Sequence, residues 1–112
     1  MTVTTGDERT VMSEKQVEQK LVRAVKACGG ICPKFISPGT DGMPDRLVLL
    51  PGGRIGFVEV KAPGKKPRRL QLLRLEMLRN LGFKVFTLDN PEQIAGIIDE
   101  IGVLKDERDK AE

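Results

Sequence analysis

The stretch Gly42-Met43-Pro44-Asp45-Arg46-Leu47-Val48-Leu49-Leu50-Pro51-Gly52-Gly53-Arg54-Ile55-Gly56-Phe57-Val58-Glu59-Val60-Lys61 decides the fold. Residues 46–50 are almost continuously apolar, as a central strand covered on both faces requires. Pro51-Gly52-Gly53 turns the chain, and residues 54–62 return as a second strand. Side chains alternate along a strand, so Glu59 and Lys61 share one side while Val60 points to the other. A carboxylate and an ammonium ending an apolar strand are costly unless they serve a site or stay wet. Asp45, where the preceding loop enters the first strand, can join them only in the right register. If Leu50 faced Ile55 directly, Asp45 would oppose Val60, and directly opposed residues share a side. The hairpin must therefore pair with an even residue sum, or carry a bulge near Asp45. Asp45 and Glu59 on opposite faces would exclude a joint role.

Outward from this hairpin, the chain reads as one domain. Ser13 and Gln16 make a capping box, and Val17, Leu21, Ala24, Val25 and Cys28 follow at helical spacing until Gly29-Gly30. Residues 31–37 form a short strand weakened by Pro33, which suggests an edge or a bulge. Pro38 to Pro44 is a loop dense in backbone-bending residues. Residues 62–67 form a basic loop. A second helix spans 68–81, with Leu70, Leu73, Met77 and Leu81 as its core stripe and Gly82 as its stop. Residues 83–88 are a further strand. Asn90 caps a third helix that opens on Pro91 and buries Ile94, Ile97, Ile98 and Ile101. The order α-β-β-β-α-β-α gives an α/β sandwich around a mixed sheet. Residues 1–12 read as a mobile arm, 13–104 as the domain, and 105–112 as a charged tail.

Composition narrows the chemistry. The chain has 112 residues, a net charge of +3 and a pI near 9.0, with no His, Trp or Tyr. Length and an ordinary apolar share fit a single globular domain. Without His there is no Ser-His-Asp or Cys-His catalysis and no imidazole base within the chain. Hydrolysis would rest on carboxylates, Lys and a hard metal ion. Cys28 and Cys32 cannot close a zinc site by themselves and read as reduced, partly buried thiols. No apolar run reaches membrane-span length and no signal peptide precedes the domain, so a cytoplasmic setting is expected.

Gly42-Met43-Pro44-Asp45-Arg46, Glu59-Val60-Lys61 and Gln71, in this element order, resemble the PD-(D/E)XK nuclease superfamily, and within it the VRR-NUC domain family. The likeness spans residues 13–90. Specificity comes from the Ser37-Pro38-Gly39 loop, the 14-residue spacing from Asp45 to Glu59, and Gln71 on the following helix. The resemblance implies an αβββαβ restriction-endonuclease-like core plus a C-terminal helix. It implies a Mg²⁺- or Mn²⁺-dependent DNA endonuclease. Asp45 and Glu59 would hold the metal with the Val60 carbonyl, since hard oxygens suit Mg²⁺. Lys61 would orient the attacking water and neutralise charge in the transition state. Gln71 would support Lys61 or the nucleophile. Glu18 matches the first-helix acid of related nucleases, with Glu14, one turn earlier, as its rival.

The charge distribution fits a phosphate partner. Residues 61–84 carry eight positive charges (Lys61, Lys65, Lys66, Arg68, Arg69, Arg74, Arg79 and Lys84) against Glu76 alone. Lys34, Ser37, Gly39, Gly42 and Arg46 would extend the DNA groove. No aromatic residues interleave with the basic ones, so stacking on single strands is a poor fit. Small stand-alone members of the family resemble Holliday-junction resolvases, which act as two-fold dimers on branched DNA. The alternatives are a non-cleaving nucleic-acid-binding module, and a nuclease subunit of a larger repair or restriction complex. The chain has no P-loop, so any ATP-driven step would come from elsewhere.

Overall fold

A computed structural model of the chain describes residues 12–103. The expected arm up to residue 11 and the tail over 105–112 lie outside the described residues. Helix α1 runs Glu14–Ala27 and starts as the capping box requires. Ser13 Oγ accepts the Gln16 N–H at 3.1 Å, and Gln16 Oε1 accepts the Ser13 N–H at 2.8 Å. Val17, Leu21 and Val25 are fully buried. Cys28, expected on this apolar face, is instead the exposed C-cap, and only Cys32 is buried. At Gly30 the chain passes so close to β1 that a Cβ would lie 2.3 Å from the Leu49 carbonyl oxygen, so only glycine fits.

Strands β1 (Arg46–Leu50) and β2 (Arg54–Val60) form the expected antiparallel hairpin. Arg46 pairs with Val58 and Leu50 with Arg54, an even-sum register. Continued by one residue, it sets Asp45 against Glu59, with no bulge needed. Strand β3 (Lys84–Leu88) pairs parallel to β2, giving a mixed three-stranded sheet in the order β1-β2-β3.

The expected strand over 31–37 is reduced to two isolated antiparallel bridges to β1, Ile31 to Leu49 and Lys34 to Arg46. The reason is Pro33. Its carbonyl accepts the Leu47 N–H at 3.0 Å, but it has no N–H to return, so the ladder breaks there.

Helix α2 (Arg69–Asn80) follows the basic loop. Its buried residues are Gln71, Leu75 and Leu78, and the expected core stripe of Leu70, Leu73, Met77 and Leu81 faces outward. Apolar residues surround this helix, so periodicity offered two candidate faces, and contact with the sheet selects the one that carries Gln71. After a 3₁₀ turn (Pro91–Gln93), capped by Asn90 Oδ1 accepting the Glu92 N–H at 2.9 Å, helix α3 (Ile94–Gly102) buries Ile94, Ile97 and Ile101. None of the described helices is long and apolar enough to cross a membrane.

The two faces of the sheet are covered unequally. Val48, Val58 and Val60 pack against α1 and α3 in the main core. On the opposite face, Phe57 and Val85 pack against Leu75 and Leu78 of α2 alone, with Phe35, Met43 and Leu47 partly buried around them. Phe57 meets Phe35 and Phe83 edge-on, at centroid distances of 5.7 and 5.6 Å. By alternation along β2, Glu59 and Lys61 belong to this thinner side.

Candidate active site

Two neighbouring strand ends and one helix build the site. Pro44 is buried and delivers Asp45 to the start of β1. Asp45 Oδ2 accepts the Val60 N–H at 3.0 Å, which ties the carboxylate across the hairpin to β2. Glu59 is 1 % exposed. Its Oε2 accepts Gln71 Nε2 at 2.6 Å and lies 3.2 Å from Lys61 Nζ. Gln71 Oε1 in turn accepts the Arg68 N–H at 2.7 Å, so both ends of the amide are engaged and its orientation is fixed.

The other oxygen of Glu59, Oε1, is buried without a hydrogen-bond partner. Leaving such a carboxylate oxygen dry and unpaired is expensive. Burial pushes the Glu59 carboxyl up to about 7, the Asp45 charge adds to the rise, and Lys61 opposes it. Asp45 is also raised, mainly by burial, against the pull of the Val60 N–H, Lys61 and Arg46. Two desolvated carboxylates that repel one another, one of them with an orphaned oxygen, form a donor set suited to a hard divalent cation.

The first-helix acids are placed differently. Glu18 Oε2 receives Arg46 Nε at 2.8 Å, and Arg46 Nη1 donates to the Cys32 carbonyl at 2.7 Å. Glu18 therefore reaches the site's margin already paired. Glu14 and Glu18 both line a groove of about 320 Å³ with Lys34, Phe35, Ile36 and Asp45. Their charges raise the Glu59 and Asp45 carboxyls respectively. Among the described residues, no three acidic or thiol side chains converge as a ready-made metal cluster.

Asp45, Glu59, Val60, Lys61 and Gln71 are thus brought together. Lys65, Lys66, Arg68 and Arg69 are exposed where the chain leaves Lys61 for α2, and Lys34, Pro38 and Gly39 are exposed on the loop before Asp45, with Ser37 half-buried. Two expected groove residues have internal tasks. Arg46 is the clamp just described. Gly42 has a positive φ of 84° and lies where a Cβ would come within 2.8 Å of Leu70 Cγ, so it lets the loop seat against α2. The clamp was not read from the sequence. Its only signal was an arginine, one residue after Asp45, that needs a partner once it is half-buried.

No family model matches the chain. Over 82 residues it is 49% identical to "Putative nuclease p44" of Acyrthosiphon pisum secondary endosymbiont phage 1, covering 73% of this chain and 88% of that protein. A solved structure described as "VRR_NUC domain" matches with a TM-score of 0.73 and 37% identity, covering 77% of this chain and 94% of that one.

Proposed function

Since the chain belongs to the VRR-NUC domain family, we propose that it is a metal-dependent DNA endonuclease that hydrolyses phosphodiester bonds in branched duplexes such as Holliday junctions, acting as a homodimer. The fold and the nuclease-named relative support nuclease activity. The observation that carries the metal-dependent assignment is the buried, unpartnered Oε1 of Glu59 beside Asp45.

Asp45, Glu59 and the Val60 carbonyl would hold Mg²⁺ or Mn²⁺. Such an ion, when bound, supplies charge neutralisation at the phosphate and a more acidic water. Glu18 joins this set only by leaving Arg46, so we assign it, with Glu14, to the rim. Lys61 is held by Glu59, and its ammonium orients the attacking water and offsets charge developing on the phosphoryl oxygens. Gln71 fixes the rotamer of Glu59, keeping Oε1 turned away from the helix. Lys65, Lys66, Arg68 and Arg69, with Lys34, Ser37 and Gly39 across the site, take the phosphate backbone. Phosphate contacts without aromatic stacking favour a duplex over a single strand.

The test is cleavage of linear, nicked, flap, single-stranded and four-way-junction DNA with Mg²⁺, Mn²⁺ or EDTA. Asp45→Ala and Glu59→Ala are expected to lower the rate at least about 100-fold. Junction preference supports the substrate assignment, and equal cutting of every substrate removes it. Tight binding without cutting in either metal favours the binding-module alternative.

A further inference from the structure

The segment that leads into Asp45 displays one large apolar side chain to solvent. Ile36 is 77% exposed, the highest value among the large apolar side chains of the described residues. A lone isoleucine on an open surface would need no account. This one lines the groove of about 320 Å³ together with Asp45, Glu14, Glu18, Lys34 and Phe35.

Its backbone cannot draw it inward. Lys34 bridges to Arg46, and the Phe35 N–H donates to the Asp45 carbonyl at 2.7 Å. The Phe35 ring already fills the space beneath, edge-on to Phe57. Pro38 disfavours helical backbone at Ser37, and the Thr40 N–H closes a turn on the Ser37 carbonyl at 3.2 Å. Ile36 is also β-branched, so little rotamer freedom is lost when its side chain is held in one place.

We propose that Ile36 is a wedge that enters the base stack beside the scissile phosphate and selects DNA whose stacking is already interrupted. The proposal rests on the endonuclease reading above and names the feature of branched DNA that the site recognises. Two observations support it. The first is place. Ile36 shares its groove with Asp45, a carboxylate of the reacting site, and stands between Lys34 and Ser37, both assigned to the phosphate backbone. It therefore meets the DNA between two backbone contacts. The second is charge. Glu14 and Asp45 line the groove, while the charge of Glu18 is offset by Arg46. Such walls repel any phosphate beyond the one at the reacting site. What the groove admits beside Ile36 is uncharged, the face of a base or a deoxyribose. Apolar side chains in that position insert between base steps and unstack them. Unstacking a continuous duplex is costly, whereas a branch point or a nick offers a step that is already open.

Two readouts on the full chain test this, with Ile36→Ala and Ile36→Leu beside wild type. All three are expected to melt alike, because the side chain is exposed. On a four-way junction Ile36→Ala is expected to lower kcat/KM about 10-fold, and on linear duplex to change it less than about 2-fold, with Ile36→Leu close to wild type on both. 2-Aminopurine at the base pairs flanking the branch, in complexes held with Ca²⁺ in place of Mg²⁺, is expected to brighten on binding wild type or the Leu variant and to stay dim with the Ala variant. Junction cleavage that Ile36→Ala leaves unchanged, or lowers equally on every substrate, overturns the wedge. So does 2-aminopurine that brightens with the Ala variant as with wild type, or with neither. A wild type that binds DNA and cuts none removes the endonuclease reading, and the fluorescence still decides the wedge. A wild type that binds no DNA overturns both.

Discussion

On one face of the sheet, Val48, Val58 and Val60 disappear beneath two helices, whereas on the other Phe57 and Val85 are covered by α2 alone. The double-covered face holds the continuous hydrophobic core. The thin face holds Glu59, Lys61 and Gln71, and beside them a helix on which Leu73, Met77 and Leu81 are exposed. The difference teaches how a small domain can bury charged groups. Burial on the first face stabilises the fold enough to tolerate an unpaired carboxylate oxygen on the second.

The sharpest way to break this division is to exchange the consequences of mutation between the faces. Lys61→Met on the thin face is expected to reduce DNA cleavage by about 100- to 1000-fold, while the melting temperature stays within a few degrees of wild type. A collapse in stability instead would show that the thin face also carries the fold. Leu21→Ala on the thick face should do the opposite, costing about 2–5 kcal/mol in denaturant unfolding because the side chain is fully buried between α1 and the sheet. Cleavage per folded molecule should then be unchanged at low temperature, and a specific loss would erase the distinction. Gln71→Leu preserves volume and removes only the amide between Arg68 and Glu59. About a 10- to 100-fold loss of activity is expected, with metal affinity, read by calorimetry, falling in parallel.

The smallest effect separates the two thiols. Burial raises the Cys32 thiol to about 11, whereas Cys28 is exposed at the end of α1. At pH 8 a thiol reagent should label Cys28 quickly and Cys32 only after denaturation. Equal rates would mean that the thick face opens readily.

Much of this arrangement was legible in the sequence, and the failures have definite causes. Residues 46–50 formed a strand as expected, but at the sheet's edge, because β2 takes the central place; and of the two arrangements that bring Asp45 to Glu59, an even-sum register or a bulge, the hairpin uses the even sum. The Ser13–Gln16 cap was readable because both partners are local. Helix α2 misled because both of its faces are apolar and hydrophobic spacing cannot choose between them. A second signal was present: placing Gln71 against Glu59 forces Leu75 and Leu78 inward at one and two turns. The strand over 31–37 failed at one atom, the missing amide hydrogen of Pro33. The pairing of Glu18 with Arg46 joins residues 28 apart in the chain, which no local pattern encodes.

The bridged segment beside β1 has a further consequence for how the sheet meets other chains. An exposed strand edge is a template on which foreign strands can grow. Here the edge of β1 is occupied at Ile31, Pro33, Lys34 and Phe35, and the Cys32 carbonyl is taken by Arg46. The proline that spoils the segment as a strand also spoils it as a template. On that side the sheet is closed to strand addition, and its growth into aggregates is blocked by an irregularity rather than by a barrel or a covering helix.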